Sequence, residues 1–459
     1  MGVPRPASGD DPEWVASREA ARAARNPRRV PGRTSPAAKG GSSGTRAGPP
    51  GARTYRRAPP GRRRRERLYT PWAPPGDAPA TGPADGATPP GAFRRRWHGR
   101  PDLKGLLLAG GHGTRLRPLT FTGNKHMIPV ANRPILFYGL RHLAEAGIEE
   151  VAIVLGPIRE GIPEQVGDGS AFGLRVTYVE QGPPRGLAHA VLCAREFLAD
   201  DPFVMYLGDN LLQQGVRPFR ELFERERPDA VVGAARVPDP RHYGVVELDG
   251  DRIVSIEEKP KVPKSPFALI GVYLFTPSIH PIIEKLSPSA RGELEITEAI
   301  WKLHEAGRRV DVQRVEGWWK DTGLPEDLLE ANQRVLESMP PNGFERLGSV
   351  AEGAELTGAV GLGPGSSVGP GCALTGPIVL GRGVKVTDGA RIGAFTAVGD
   401  GAVVSGAGID RSIVLEGARI EGPVRLTDSI LGRNVTIRAR PGPVRDLTLI
   451  LGDAAQIRL

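Results

Sequence analysis

Cysteine is nearly missing from this chain of 459 residues, which has only Cys193 and Cys372. Two thiols so far apart exclude a disulfide framework and a cysteine-rich zinc site, and they fit a reducing compartment, so a cytoplasmic protein is expected. No apolar run approaches the ~20 residues that a bilayer-spanning helix needs, so no membrane association is expected. The first thirty residues lack the apolar stretch of a secretory signal. Aromatic residues are few, at 5%, but 39% hydrophobic residues suffice for globular cores. Histidine is absent after His304, which removes the usual general base from the last third of the chain.

The net charge is +9, which by itself would point to a nucleic-acid partner. Its location argues otherwise. Residues 1–100 carry +14 and the remainder −5, so all the excess positive charge sits in the first hundred residues. That stretch holds 17 prolines and 14 glycines with no hydrophobic period, and 1–102 is predicted to be a disordered, solvated tail. Nucleic acid is not expected as a partner.

Order is expected from Leu103. Short apolar runs at Leu106–Ala109, Val151–Leu155, Val176–Val179, Phe203–Leu207, Ala230–Ala235 and Ile270–Phe275 read as strands. Helical patterns lie between them, at Ile135–Ala146 and Leu187–Leu198, and a last helix is predicted at Pro325–Ser338. Strands alternating with helices indicate an α/β domain with a mostly parallel, buried sheet over residues 103–339. Pro340-Pro341-Asn342-Gly343 opens a linker over 340–347.

Residues 348–459 contain a repeat. Val350, Leu356, Leu362, Val368, Leu374, Leu380, Val386, Ile392, Val398 and Val404 follow one another at six-residue spacing. A period of six is neither helical nor simply alternating; it fits a parallel solenoid with a triangular section. The register slips after Val404, and Ile413, Leu415, Ile420, Leu426, Ile430 and Val435 continue the style.

Candidate chemistry lies in the α/β part. Gly110, Gly111 and Gly113, directly after the first strand, let backbone N–H groups approach phosphate oxygens, and Arg115 adds a cation. The stretch matches neither a P-loop nor the dinucleotide fingerprint. Lys125 follows in Asn-Lys-His-Met-Ile-Pro-Val. Gln181, in a Gly/Pro-rich turn with Gly186, has the donor and acceptor that suit a base edge. Asp209 ends an apolar strand, where α/β sheets bind ligands, and a carboxylate there suits Mg2+. Glu258 and Lys259 could hold a sugar phosphate, Asp321 could be a second metal carboxylate, and Trp319 could form an apolar wall. Each alone also fits a turn, a helix cap, a surface charge or a core aromatic.

Taken together, Leu108–Pro118, Lys125–Val130, Gln181–Ala188, Leu207–Asn210, Tyr243–Glu247 and Glu257–Pro260 resemble the sugar nucleotidyltransferases. Gly167–Leu174, Pro288–Thr297 and Gly317–Asn332, with the six-residue repeat, are similar to the long form of glucose-1-phosphate thymidylyltransferase. The resemblance implies a Rossmann-like nucleotidyltransferase domain followed by a left-handed parallel β-helix. It implies transfer of a nucleotidyl group from dTTP to glucose 1-phosphate, with Mg2+ as cofactor, by a homo-oligomer. Leu108, Ala109, Gly110, Gly111, Gly113, Thr114, Arg115, Lys125, Gln181 and Gly186 would bind the nucleotide. Leu187, Asn210, Tyr243, Gly244, Glu258, Lys259 and Trp319 would bind the sugar phosphate. Asp209 and Asp321 would hold the metal, and Arg115, Lys125, Lys259 and Asp209 would carry catalysis. His126 stands where short-form enzymes carry glutamine near the base, which leaves dTTP against UTP open. A non-catalytic sugar-nucleotide-binding subunit is the rival reading. Without histidine, the repeat is expected to be a scaffold for oligomerisation or regulation rather than an acyltransferase.

Overall fold

The computed structural model describes residues 103–459, so the expectation for the tail lies outside the described residues. The strand Lys104–Ala109 runs through the middle of a nine-stranded sheet. It pairs in parallel with Glu150–Leu155 and Phe203–Leu207, and Glu150–Leu155 pairs in parallel with Arg175–Glu180. Beyond Phe203–Leu207 the pairing is antiparallel except at one edge: Phe267–Phe275 runs against Phe203–Leu207 and Ala230–Arg236, Gly244–Asp249 pairs with Arg252–Glu258, and Val310–Arg314 lies parallel to Ala230–Arg236. The sheet is thus mixed, with its parallel half carrying the glycine-rich loop.

The continuous apolar run of the first strand is explained by burial on both faces. Leu106 and Leu108 pack into one core, and Leu107 and Ala109 into the other. The helix Ile135–Glu145 covers the second face with Leu136, Gly139, Leu140 and Leu143. The helix expected over Leu187–Leu198 divides into Leu187–Cys193 and Arg195–Leu198. The final helix, Pro325–Ser338, begins with proline at its first position, where no N–H is needed, and the Asp327 carboxylate accepts the Leu324 N–H at 2.9 Å.

The remaining chain winds into three parallel sheets of seven, six and six strands, the faces of the β-helix. Equivalent residues stack coil on coil: Val350, Val368, Val386, Val404, Ile420 and Ile437 down one face, and Leu362, Leu380, Val398, Val414 and Leu431 down another. Stacking starts within the expected linker, where Arg346 bridges Leu362 and the Leu347 N–H bonds to the Leu362 carbonyl at 2.8 Å.

After Val404 the interior positions are Ile409, Val414, Ile420, Leu426 and Leu431. Ile413, Leu415 and Ile430 therefore do not continue the interior stack. The steps Val404 to Ile409, Ile409 to Val414 and Leu426 to Leu431 are each one residue shorter than the others, and a one-residue shift turns a strand's side chains to the other face. Those three, with Val379 and Ala397, face the α/β part and pack against Leu116, Leu119, Ile128, Leu328, Ala331 and Val335. Asn332, fully buried in this seam, accepts the Ala131 N–H at 2.8 Å and donates to the Phe395 carbonyl at 2.8 Å.

Candidate active site

The carboxyl ends of the parallel strands open onto a cavity of about 430 Å3. Leu108, Gly110, Gly111, Gly113, Thr114 and Arg115 line it, with Lys125, His126, Gln181, Gly186, Leu187 and Asp209. Ala109 does not; it is fully buried in the core beneath the loop. The loop is glycine-rich because side chains cross over it. A Cβ on Gly111 would meet Lys125 Cε at 2.7 Å, and one on Gly110 would meet Gln181 Oε1 at 2.7 Å. Gly113 adopts φ 62°, the left-handed region that glycine enters freely, just before the turn Thr114–Leu116 that carries Arg115.

Lys125 Nζ and Asp209 Oδ2 form an ion pair at the mouth of this loop. Burial would raise the Asp209 pKa, but the charge of Lys125 and the hydrogen bonds from Lys125 and Asn210 overcome it and hold the carboxyl ionised. Asp321 lies opposite, on the strand Trp319–Asp321, paired in register with Asn210. Thr322 clamps the two strands, donating its N–H (3.0 Å) and hydroxyl (2.8 Å) to the Asp209 carbonyl. Burial and then the negative charge of Asp209 push the Asp321 pKa up. Two carboxylates that repel one another in a buried site suit a divalent cation whose other ligands are phosphate oxygens and water. Among the described residues no cluster of three or more His, Cys, Asp and Glu could hold a metal unaided.

His126 is 2% exposed, and its ring is fixed by Asn124, whose Oδ1 accepts the His126 N–H at 2.8 Å and contacts Nδ1 at 2.7 Å. Burial, reinforced by Lys125, lowers its pKa to about 3, so the imidazole stays neutral. Gln181 donates to the Gly186 carbonyl at 3.0 Å. Gly186 has no room for a side chain, because the Leu294 backbone presses on it and the Ala188 N–H bonds to the Leu294 carbonyl at 3.1 Å.

The expected sugar-phosphate residues form a second group that does not line the cavity, apart from Leu187. Asn210 Oδ1 accepts the Trp319 indole N–H at 2.7 Å and the Gly271 N–H at 3.1 Å. The Trp319 and Tyr243 rings meet edge to face at 5.4 Å. Gly244 pairs with Glu258 across a strand ladder, and the Lys259 N–H bonds to the Tyr243 carbonyl at 3.0 Å. Lys259 Nζ lies 3.6 Å from Glu258 Oε1, and Glu258 also receives the Thr297 hydroxyl at 3.0 Å.

Several residues here had no role in the sequence reading. His112, Pro184, Glu293 and Gly323 line the cavity, and the guanidinium of Arg291 bonds to Glu258 at 3.1 Å. Arg291 and Glu293 lie in Pro288–Thr297, a stretch that stood out only as a whole. Gly271 sits inside an apolar strand and carries no sequence signal at all.

Comparison with known proteins bears on this site. A family model described as nucleotidyl transferase matches residues 104–338. A glucose-1-phosphate thymidylyltransferase of Streptomyces griseus is 45% identical over 358 residues, 78% of this chain and 99% of the relative. One from Streptomyces antibioticus is 45% identical over 362 residues, with the same coverage. The low-salt glycan biosynthesis nucleotidyltransferase Agl11 of Haloferax volcanii is 46% identical over 360 residues, covering 78% of this chain and all of the relative. The glycine-rich loop and the Lys125–Asp209 pair fall within the matched residues 104–338, and the chain belongs to the nucleotidyl transferase family.

Proposed function

We propose that this protein transfers a thymidylyl group from dTTP to glucose 1-phosphate, giving dTDP-glucose and pyrophosphate, in the cytoplasm. The observation that carries the reading is the glycine-rich loop closed over the Lys125–Asp209 pair at the carboxyl ends of the parallel strands. The 45% identity to thymidylyltransferases across nearly their whole length supports the choice of substrates.

In this reading a phosphate oxygen of glucose 1-phosphate attacks the α-phosphorus of dTTP in line. The new O–P bond forms as the bond to the β-phosphate oxygen breaks, and pyrophosphate leaves with that electron pair. The nucleophile is already an anion, so no general base is needed. The barrier comes from bringing two polyanions together, and positioning with electrostatics lowers it. The loop from Leu108 to Thr114 cradles the triphosphate, Arg115 and Lys125 meet its phosphates, and Gln181 and Gly186 read the base. Lys259 meets the sugar phosphate, while Glu258, Tyr243, Gly244, Asn210, Leu187 and Trp319 shape the sugar site. Asp209 and Asp321 would hold Mg2+, which supplies charge neutralisation at the phosphates when bound.

The test is pyrophosphate release by the purified chain across dTTP, UTP and other nucleotides, each with a panel of sugar 1-phosphates. The highest kcat/KM is expected for dTTP with glucose 1-phosphate. Binding without turnover for every pair would instead favour a regulatory subunit.

A further inference from the structure

One corner of the solenoid is a column of close backbone approaches. A Cβ on Gly363 would meet the Gly381 backbone at 2.5 Å, one on Gly399 the Glu416 nitrogen at 2.6 Å, and one on Gly432 the Asp453 nitrogen at 2.6 Å. In each case the neighbour is the coil stacked next. Gly452 closes the column beside Ile450–Leu451, the outermost strand of its sheet. Its Cβ would meet not a coil but Pro118, at 2.9 Å from the carbonyl oxygen and 3.2 Å from the ring. A piece of the α/β part lies where a further coil would stack.

The neighbouring aspartate reaches the same segment. Asp400 uses both carboxylate oxygens within the solenoid, accepting from Arg382 N at 2.8 Å and Arg382 Nε at 3.1 Å. Asp453 accepts the equivalent Arg433 N–H at 2.7 Å, and its other oxygen, 3.6 Å from Arg433 Nη1, takes the Thr122 hydroxyl as well, at 2.7 Å. Pro118 and Thr122 both lie between Arg115 and Lys125, the two cations of the glycine-rich loop.

We propose that the last coil of the solenoid positions the phosphate-binding segment, with Gly452 and Asp453 holding Pro118 and Thr122 and thereby setting Arg115 and Lys125. The inference rests on reading those cations as nucleotide ligands. Gly452 and Asp453 are positioning residues. A segment fixed in its bound conformation loses less freedom when ligand arrives, so coil docking and nucleotide binding reinforce each other.

The experiment is calorimetric titration of the full chain with dTTP, alongside steady-state kinetics. Gly452→Ala, which must displace the Pro118 backbone, is expected to weaken dTTP binding roughly three- to ten-fold, while kcat at saturating dTTP changes less than about two-fold. Thr122→Val is expected to weaken binding roughly three-fold and Thr122→Ser to restore it. Because Thr122 is exposed, its variants carry the test if Gly452→Ala does not fold. Val386→Ala, a cavity deep in the solenoid, should lower the melting temperature and leave dTTP affinity unchanged. Wild-type affinity in both Gly452→Ala and Thr122→Val overturns the proposal. So does an equal loss in Val386→Ala, which would mean that any damage to the solenoid suffices. If the wild-type chain binds no dTTP, the proposed function falls, and this inference with it.

Discussion

Asn210 donates its side-chain amide to Asp209 Oδ1 at 3.0 Å while its own Oδ1 receives the Trp319 indole at 2.7 Å. One buried amide thus ties the Asp209 carboxylate in the cavity to the Trp319 ring of the second group. Asn210→Ala leaves the Trp319 and Gly271 N–H groups without this partner, at a cost of about 1–3 kcal/mol for the buried Gly271 donor and less for the half-buried indole. A lower melting temperature is expected together with a higher KM for the sugar phosphate; a change in stability alone would refute the link between the two halves.

Removing either member of the Lys125–Asp209 pair should stop the chemistry and spare the fold. Lys125→Ala and Asp209→Asn are each expected to lower kcat at least about 100-fold, the scale seen when one electrostatic contact to a transition state is lost. Circular dichroism should remain that of the wild type. Near-normal dTDP-glucose synthesis by either variant would rule out the proposed function.

The paired carboxylates give a metal-dependence prediction. Chelation should abolish turnover and added Mg2+ should restore it. Asp321→Asn removes the repulsion with Asp209 and is expected to leave the metal-free protein as stable as the wild type, while raising the Mg2+ concentration needed for half-maximal activity. Undiminished turnover in chelator would contradict the metal assignment.

The buried His126 and the half-buried His142 make stability depend on pH. Burial lowers His126 to about 3 and His142 to about 4, from 6.5 in the unfolded chain. Below 6.5 the unfolded state takes up protons that the folded state refuses. Their stabilisation is present above 6.5 and declines as pH falls toward 4, by about 1.4 kcal/mol per pH unit for each histidine. The melting temperature should drop across that window. The double variant His126→Gln/His142→Gln should show a shallower decline, and an unchanged slope would contradict the burial of neutral imidazoles.

The parallel strands were legible because burial on both faces writes itself as unbroken apolar runs, as in Leu106–Ala109 and Phe203–Leu207. The solenoid was legible until Val404, where ten stacked positions share one spacing. Beyond it, the shortened steps hid which of Ile413, Val414 and Leu415 points inward. The mixed pairing of the sheet left no trace in local composition, because Phe267–Phe275 is as apolar as a parallel strand. The candidate site was readable where glycines and charges cluster in one short stretch. Arg291 and Gly271 depend on chain segments that meet only after folding, and neither announces its neighbours.

The seam around Asn332 has a consequence for how such a chain can be rebuilt. Its final helix presents Leu328, Ala331 and Val335 to the solenoid, and Ile413, Leu415 and Ile430 face back. Neither half is a detachable cassette: excising the solenoid would leave a greasy stripe and an amide with a severed partner. A recombinant that borrows either half from a relative must bring the matching side of this joint with it, or rewrite the helix as a solvent-facing one.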